Sequence, residues 1–266
     1  MKAIVLPESL RVFFEDNPSP ALAFSGGTDS SFLLYACKML DVDVRPYFVK
    51  GAFQTLEEIH RANDFSEMLG YDLTEVELDV LSDYSIRRNG TDRCYQCKKH
   101  VFGSILKKAK EDGCRFVMDG TNASDDYSTR PGMRALMELG VRSPLRECGL
   151  TKPQIRLYSK CAELPSWNIP TDSCLATRIP FGMEITDPLL RRTEEVEKEL
   201  KNLGFRNFRV RTRNYGAHLE MDPAQKDLLK ETEQSVRSII LSRYDSITYG
   251  ERVTDQSSQL DPDLAT

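Results

Sequence analysis

Over about its first 165 residues the chain alternates short apolar runs with amphipathic stretches, and this alternation restricts the fold more than any other feature. Ala21–Phe24 is apolar and ends in a Gly-rich turn, Ser25–Gly27. Asp29–Leu40 then carries Phe32, Leu33, Ala36 and Leu40 on one helical face. Val44–Val49 reads as a second strand, Leu56–Leu69 as a second helix and the alternating Asp72–Leu78 as a third strand. Cys97–Lys110 is helical, with Val101, Phe102, Ile105 and Leu106 as its stripe, and Arg115–Met118 is a fourth strand running into Asp119-Gly120. Strands alternating with helices predict right-handed crossovers, hence an α/β fold with a parallel sheet and helices on both faces.

The texture changes after Trp167. A loop containing Pro170, Pro180 and Gly182 leads into a charged helix, Pro188–Leu203, stopped by Gly204. Phe208–Thr212 and His218–Met221 alternate like a hairpin, Pro223 opens a helix to about Ser242, and Ser246–Tyr249 forms a last strand. The expected organisation is an α/β domain over residues 1–182, a smaller α+β domain over 183–250 for substrate or oligomer contacts, and a flexible tail over 251–266. The start, Met1–Phe14, holds Glu8 and Arg11 within its apolar stretch and reads as a mature helix, not a signal peptide. With 266 residues, 40% hydrophobic and 29% charged, the chain is long and apolar enough for a sizeable core. The net charge of −5 gives no global pull toward nucleic acid or anionic membrane, and no apolar run approaches a bilayer span. A cytoplasmic protein with no nucleic-acid or membrane partner is expected.

The octet Phe24-Ser25-Gly26-Gly27-Thr28-Asp29-Ser30-Ser31 follows a strand and opens a helix. That arrangement aims backbone N–H groups and the positive helix end at one small volume. Gly26 and Gly27 let the main chain approach an anion, and Ser25, Thr28, Ser30 and Ser31 add hydroxyl donors. Asp29 is suited to hold a Mg²⁺ that neutralises phosphates. An ordinary capped βα turn is the default for Gly-Gly alone. The full octet resembles the SGGxDS PP-loop of ATP pyrophosphatases and lacks the Gly-Lys-Ser/Thr ending of the Walker loop. That resemblance implies a Rossmann-like fold and cleavage of ATP between its α and β phosphates. Asp119-Gly120-Thr121-Asn122 would lie beside the loop at the carboxyl edge of the sheet. Ser143-Pro144-Leu145 and Leu150–Arg156 resemble the superfamily segment that closes over ATP, with Lys152 as a phosphate-facing cation.

Seven cysteines, odd in number and irregular in spacing, do not form a disulfide framework. Cys37, Cys114, Cys148 and Cys161 read as small hydrophobes. Cys94 and Cys97 stand three apart at a helix start, flanked by Arg93, Lys98 and Lys99, which favour thiolates. Cys174 follows within Thr171–Pro180. A zinc site from these three and His100 is one reading. A [4Fe-4S] cluster with one open iron is the other, and an open iron suits an extra sulfide.

Six segments together resemble the LarE family, ATP-dependent pyridinium-3,5-bisthiocarboxylic acid mononucleotide synthases of nickel-pincer cofactor synthesis. They are residues 25–31, 92–102, 119–126, 130–145, 150–156 and 174–186. The resemblance implies adenylation of a carboxylate on a nicotinic-acid-derived mononucleotide, followed by displacement of AMP by sulfur. One branch of the family consumes the sulfur of a single cysteine, at the position of Cys174. Another has the CxxC pair as well and resembles cluster-dependent thiolases. With all three cysteines present, the resemblance places the chain in the second branch. It then implies Cys94, Cys97 and Cys174 as ligands of a [4Fe-4S] cluster, Cys174 at the catalytic centre and an external sulfide source. Ser25, Gly26, Gly27, Thr28, Asp29, Ser30, Gly120 and Lys152 are the expected ATP contacts. Departures from the family pattern stand at Ile169, where Lys is common, at His218, where Arg is usual, and at Tyr249-Gly250.

Arg209, Arg211 and Arg213 alternate at strand spacing and share a face. A solvated hairpin is the bland account, and a grip on the substrate phosphate by Arg209 and Arg211 the functional one. Arg178 is a second candidate for phosphate or carboxylate. Competing functions are a PP-loop tRNA thiolase, which the acidic balance disfavours, and a zinc-stapled nucleotide-binding module without chemistry. A homo-oligomer is expected.

Overall fold

The computed structural model describes residues 1–126, 131–170 and 173–252. Arg130, Thr171, Asp172 and the tail expected to be flexible beyond Arg252 lie outside the described residues. The order is α1 (Glu8–Asp16), β1 (Pro20–Ala23), α2 (Thr28–Met39), β2 (Arg45–Lys50), α3 (Leu56–Leu69), β3 (Thr74–Glu77), α4 (Tyr84–Arg87), α5 (Arg93–Glu111) and β4 (Phe116–Met118). There follow α6 (Pro131–Glu138), α7 (Pro144–Glu147), α8 (Lys152–Cys161), a 3₁₀ turn (Leu175–Arg178) and α9 (Asp187–Asn202). Last come β5 (Phe208–Arg213), β6 (Gly216–Met221), α10 (Lys226–Leu241) and β7 (Ile247–Glu251).

The first four strands form a parallel sheet in the order β3-β2-β1-β4. Alternate residues of each strand point to opposite faces, and both faces are covered. Leu22, Phe48 and Met118 pack with Phe32, Leu33, Phe65 and Ile155 on the side of α2, α3 and α8. Ala21, Tyr47, Val49 and Val117 pack with Phe102, Ile105 and Met133 on the side of α5 and α6. Burial on both sides is why β1 and β2 read as nearly continuous apolar runs. The chain steps outward from β1 to β3 and then returns to place β4 on the other side of β1. The order therefore reverses between β1 and β4, and their carboxyl-end loops, Phe24–Gly27 and Asp119–Asn122, flank one crevice.

The expected N-terminal helix begins only at Glu8. Pro7 disfavours helical backbone in the residue before it and has no N–H to continue a ladder.

The second sheet is β5-β6-β7, antiparallel then parallel. One face, with Val210, Leu219 and Met221, packs on Val196 and Leu200 of α9 and on Val236 and Ile240 of α10. By alternation, Arg209, Arg211, His218 and Glu220 share the opposite face. There the Arg211 guanidinium donates to the Thr177 carbonyl at 2.7 Å, which joins this sheet to the 3₁₀ turn after Cys174. Among the described residues no helix is long and apolar enough to cross a membrane.

Candidate active site

Backbone conformation builds the phosphate loop. Gly26 has φ +68°, and a Cβ there would meet the backbone of Ala62 in α3 at 3.1 Å, so neither the angle nor the space admits another residue easily. The Gly26 carbonyl accepts the Arg61 Nε–H at 3.1 Å. The Ser25 and Ser30 hydroxyls meet at 3.0 Å, and Ser25 Oγ accepts the Gly27 N–H at 3.3 Å. Gly27 caps α2 without any side-chain acceptor, so the first-turn N–H groups lack the usual capping partner. Thr28 instead turns inward and donates to the Ser166 carbonyl at 2.8 Å. Gly120 lies against the same turn, since a Cβ there would come within 2.9 Å of the Ser30 nitrogen.

The second wall is the run Asp119–Asp125. Asp119 is buried and accepts the Ser143 hydroxyl at 2.7 Å and the Thr121 N–H at 3.2 Å. Asp125 accepts the Asn122 N–H at 3.0 Å and so closes the loop. The Ser124 hydroxyl accepts the Lys152 N–H at 3.0 Å, which fixes the start of α8. Thr151 caps that helix, its N–H and hydroxyl both reaching Gln154 Oε1, at 2.9 and 2.8 Å. Lys152 then extends to Asp29, Nζ to Oδ2 at 2.7 Å. Burial pushes the Asp29 carboxyl up, against the pull of Lys152. Its other oxygen, Oδ1, is buried with no hydrogen-bond partner, which fits a Mg²⁺ ligand.

Arg93 and Asn89 assemble the three-cysteine site. Asn89 adopts φ +55°, is fully buried, and donates to the Pro180 carbonyl at 2.8 Å. Arg93, buried to 3% exposure, binds Asn89 Oδ1 and donates to the Ala176 carbonyl at 2.9 Å. These bonds clamp the start of α5, with Cys94 and Cys97, onto the turn behind Cys174. All three cysteines are free thiols, and they lie within electrostatic range of one another. Burial, with Cys174 and Cys94 nearby, pushes the Cys97 thiol up to about 12. Burial also raises Cys174, with Arg93 pulling the other way. Arg93 also reaches Cys94 Sγ at 3.5 Å and lies over the Phe181 ring at 5.3 Å. No carboxylate bonds it among the described residues. A buried guanidinium needs polar partners, and here they are the Asn89 amide oxygen, the Ala176 carbonyl and the Cys94 sulfur.

His100 does not complete a zinc site, because it faces Asp83, Nε2 to Oδ2 at 2.7 Å. Among the described residues no three His, Cys, Asp or Glu side chains converge on a single metal ion.

Arg178 is built into the protein's own framework. Its guanidinium is 2% exposed and forms a fork with Glu197, Nε to Oε1 at 3.0 Å and Nη2 to Oε2 at 3.1 Å, while Nη1 bonds the Ser173 carbonyl. Glu197 also accepts the Val210 N–H at 2.9 Å. Arg178 therefore ties the Cys174 segment to α9 and β5. Arg211 is half committed, since it pairs with Glu220 at 2.7 Å as well as with Thr177. Replacing Glu197 with Gln would remove the charge from a buried fork with Arg178. The expected loss of stability is about 3 kcal/mol or more, read from urea unfolding.

The sequence pattern did not single out Asn89, Glu197 or Arg156. Asn89-Gly90 is a turn dipeptide, and Glu197 interrupts the apolar stripe Leu190, Thr193, Val196 and Leu200, so both carried a signal. Helix α3 joins the two halves of the site. Glu58, in its first turn, lies within electrostatic range of Cys174, and Ala62 packs on Gly26. The Leu175 N–H donates to the Phe53 carbonyl at 3.1 Å just ahead of α3, so this helix runs between the Cys174 segment and the Gly26 loop.

No protein-family model matches the chain. An uncharacterised protein of Synechocystis is 32% identical over 219 residues, covering 82% of each chain. A pyridinium-3,5-bisthiocarboxylic acid mononucleotide synthase of Lactiplantibacillus plantarum is 33% identical over 206 residues, which span 77% of this chain and 75% of that protein. The chain belongs to this synthase family. An uncharacterised protein of Methanocaldococcus jannaschii is 29% identical over 237 residues, 89% of this chain and 90% of its own. The α/β core of the structure is consistent with the Rossmann-like fold that the PP-loop resemblance implies.

Proposed function

We propose that the protein inserts sulfur, at the expense of ATP, into a carboxylate of pyridinium-3,5-biscarboxylic acid mononucleotide. The observation that carries this reading is that α3 links the Gly26 loop and the Cys174 segment, with Leu175 bonded to Phe53 just ahead of it and Ala62 packed on Gly26. An adenylated carboxylate formed at the first would meet sulfur at the second without leaving the crevice.

The residues divide the work. Ser25, Gly26, Gly27, Thr28 and Ser30, with the start of α2, cradle the phosphates, and Gly120 keeps the opposite wall close. Asp29 would hold Mg²⁺ through Oδ1, and Lys152 lies at the same carboxylate. A substrate carboxylate oxygen attacks the α phosphorus, the bond to the bridging oxygen breaks, and pyrophosphate leaves. Sulfide then attacks the activated carbonyl carbon, and AMP departs with the electrons of the acyl–oxygen bond. Cys94, Cys97 and Cys174 would hold a [4Fe-4S] cluster, which supplies an open iron position for the transferable sulfide. Arg93 supplies a fixed positive charge beside these sulfurs, and Asn89 holds it there. Arg209 and Arg211, on the sheet face beside Thr177, suit the substrate's own phosphate.

Incubated with ATP, Mg²⁺, the biscarboxylic mononucleotide and external sulfide, the cluster-loaded enzyme is expected to release AMP and pyrophosphate in equal amounts. ADP and inorganic phosphate as the products would overturn the adenylation step.

A further inference from the structure

We propose that Arg156 supplies the positive charge that receives the departing pyrophosphate, a task that the sequence pattern assigns to Lys152. The inference rests on the adenylation reading above. Lys152 is already paired with Asp29 at 2.7 Å, so part of its donor capacity is committed within the protein. Arg156 lies four residues further along α8, on the same helix face. Its guanidinium donates to the Ile169 carbonyl at 3.2 Å, and no carboxylate bonds it among the described residues. Its Nε is buried with no partner, as are Asp29 Oδ1 and Ser31 Oγ. The Ile169 carbonyl also accepts the Thr28 hydroxyl at 3.5 Å, which places Arg156 beside the start of α2. Arg156 is likewise within electrostatic range of Asp29. Buried polar groups are ordinarily satisfied, so an arginine nitrogen without a partner beside this loop leaves donor capacity for an anion. A guanidinium with donors in reserve is the group that grips phosphate through two parallel bonds.

Isothermal titration calorimetry with inorganic pyrophosphate, ATP and AMP tests this on wild type, R156Q and R156K. R156Q is expected to weaken pyrophosphate and ATP binding by about tenfold or more, with AMP binding unchanged. R156K is expected to recover part of the loss, because it keeps the charge without the planar fork. Wild-type pyrophosphate affinity in R156Q would overturn the proposal, as would an equal loss for AMP, which signals general damage. If R156Q does not fold, R156K decides: pyrophosphate affinity below wild type with AMP unchanged supports the assignment, and full affinity for both overturns it. A wild-type protein that binds AMP but neither ATP nor pyrophosphate would instead remove the adenylation reading, and the role of Arg156 with it.

Discussion

Cys94→Ala, Cys97→Ala and Cys174→Ala are each expected to abolish thiocarboxylate formation and iron–sulfur absorption together, while pyrophosphate release from ATP and substrate continues. The all-or-none outcome follows from the way the site is assembled. Two ligands come from one turn of α5 and the third from the segment before the 3₁₀ turn, and the Arg93–Asn89 clamp holds these pieces in register. Loss of one thiolate leaves two, too few to hold a cluster with one open iron. Adenylation survives because none of the three cysteines belongs to the phosphate loop. The check pairs anaerobic absorption and iron analysis with a pyrophosphate assay on each variant. Retention of cluster and sulfur transfer in Cys94→Ala or Cys97→Ala would show that the CxxC pair is not part of the chemistry.

Lys152→Met is expected to have the opposite signature. Cluster uptake stays at the wild-type level, and pyrophosphate release falls by about 10²–10³-fold, the usual cost of removing one preorganised charge from a reacting centre. Two effects add in the same direction. The variant removes a cation 2.7 Å from Asp29, and it leaves that carboxylate uncompensated at the place where the triphosphate must dock. Steady-state pyrophosphate release, measured alongside iron content, separates this variant from the cysteine series. A Lys152→Met enzyme with undiminished release would exclude the pair from the phosphate site.

Much of the architecture was legible because the burial pattern is simple. Strands β1 and β2 are covered on both faces and read as apolar runs. The edge strand β3 contracts to Thr74–Glu77, since only alternate residues there are covered. The phosphate loop was legible because its requirements are local: a positive φ at Gly26 and small hydroxyl side chains at a helix start. Boundaries were less so. Helix α5 starts at Arg93, ahead of the expected Cys97, because its first turn is polar and adds nothing to the apolar stripe. The burial of Arg178 was not legible because it depends on Glu197, on another element, and no spacing rule links the two. Arg156 lay within the matched segment 150–156, yet its own role was not legible. An arginine on a charged helix looks solvated until the Ile169 carbonyl and the start of α2 are seen around it.

The central claim is that sulfur passes through a three-cysteine site that survives the reaction. Intact mass spectrometry of the anaerobically reconstituted protein, before and after a single turnover with ATP, substrate and external sulfide, tests it most directly. The account predicts thiocarboxylate product and a polypeptide of unchanged mass. A stoichiometric loss of about 34 Da at Cys174, as its thiol leaves as H₂S and dehydroalanine remains, would contradict it.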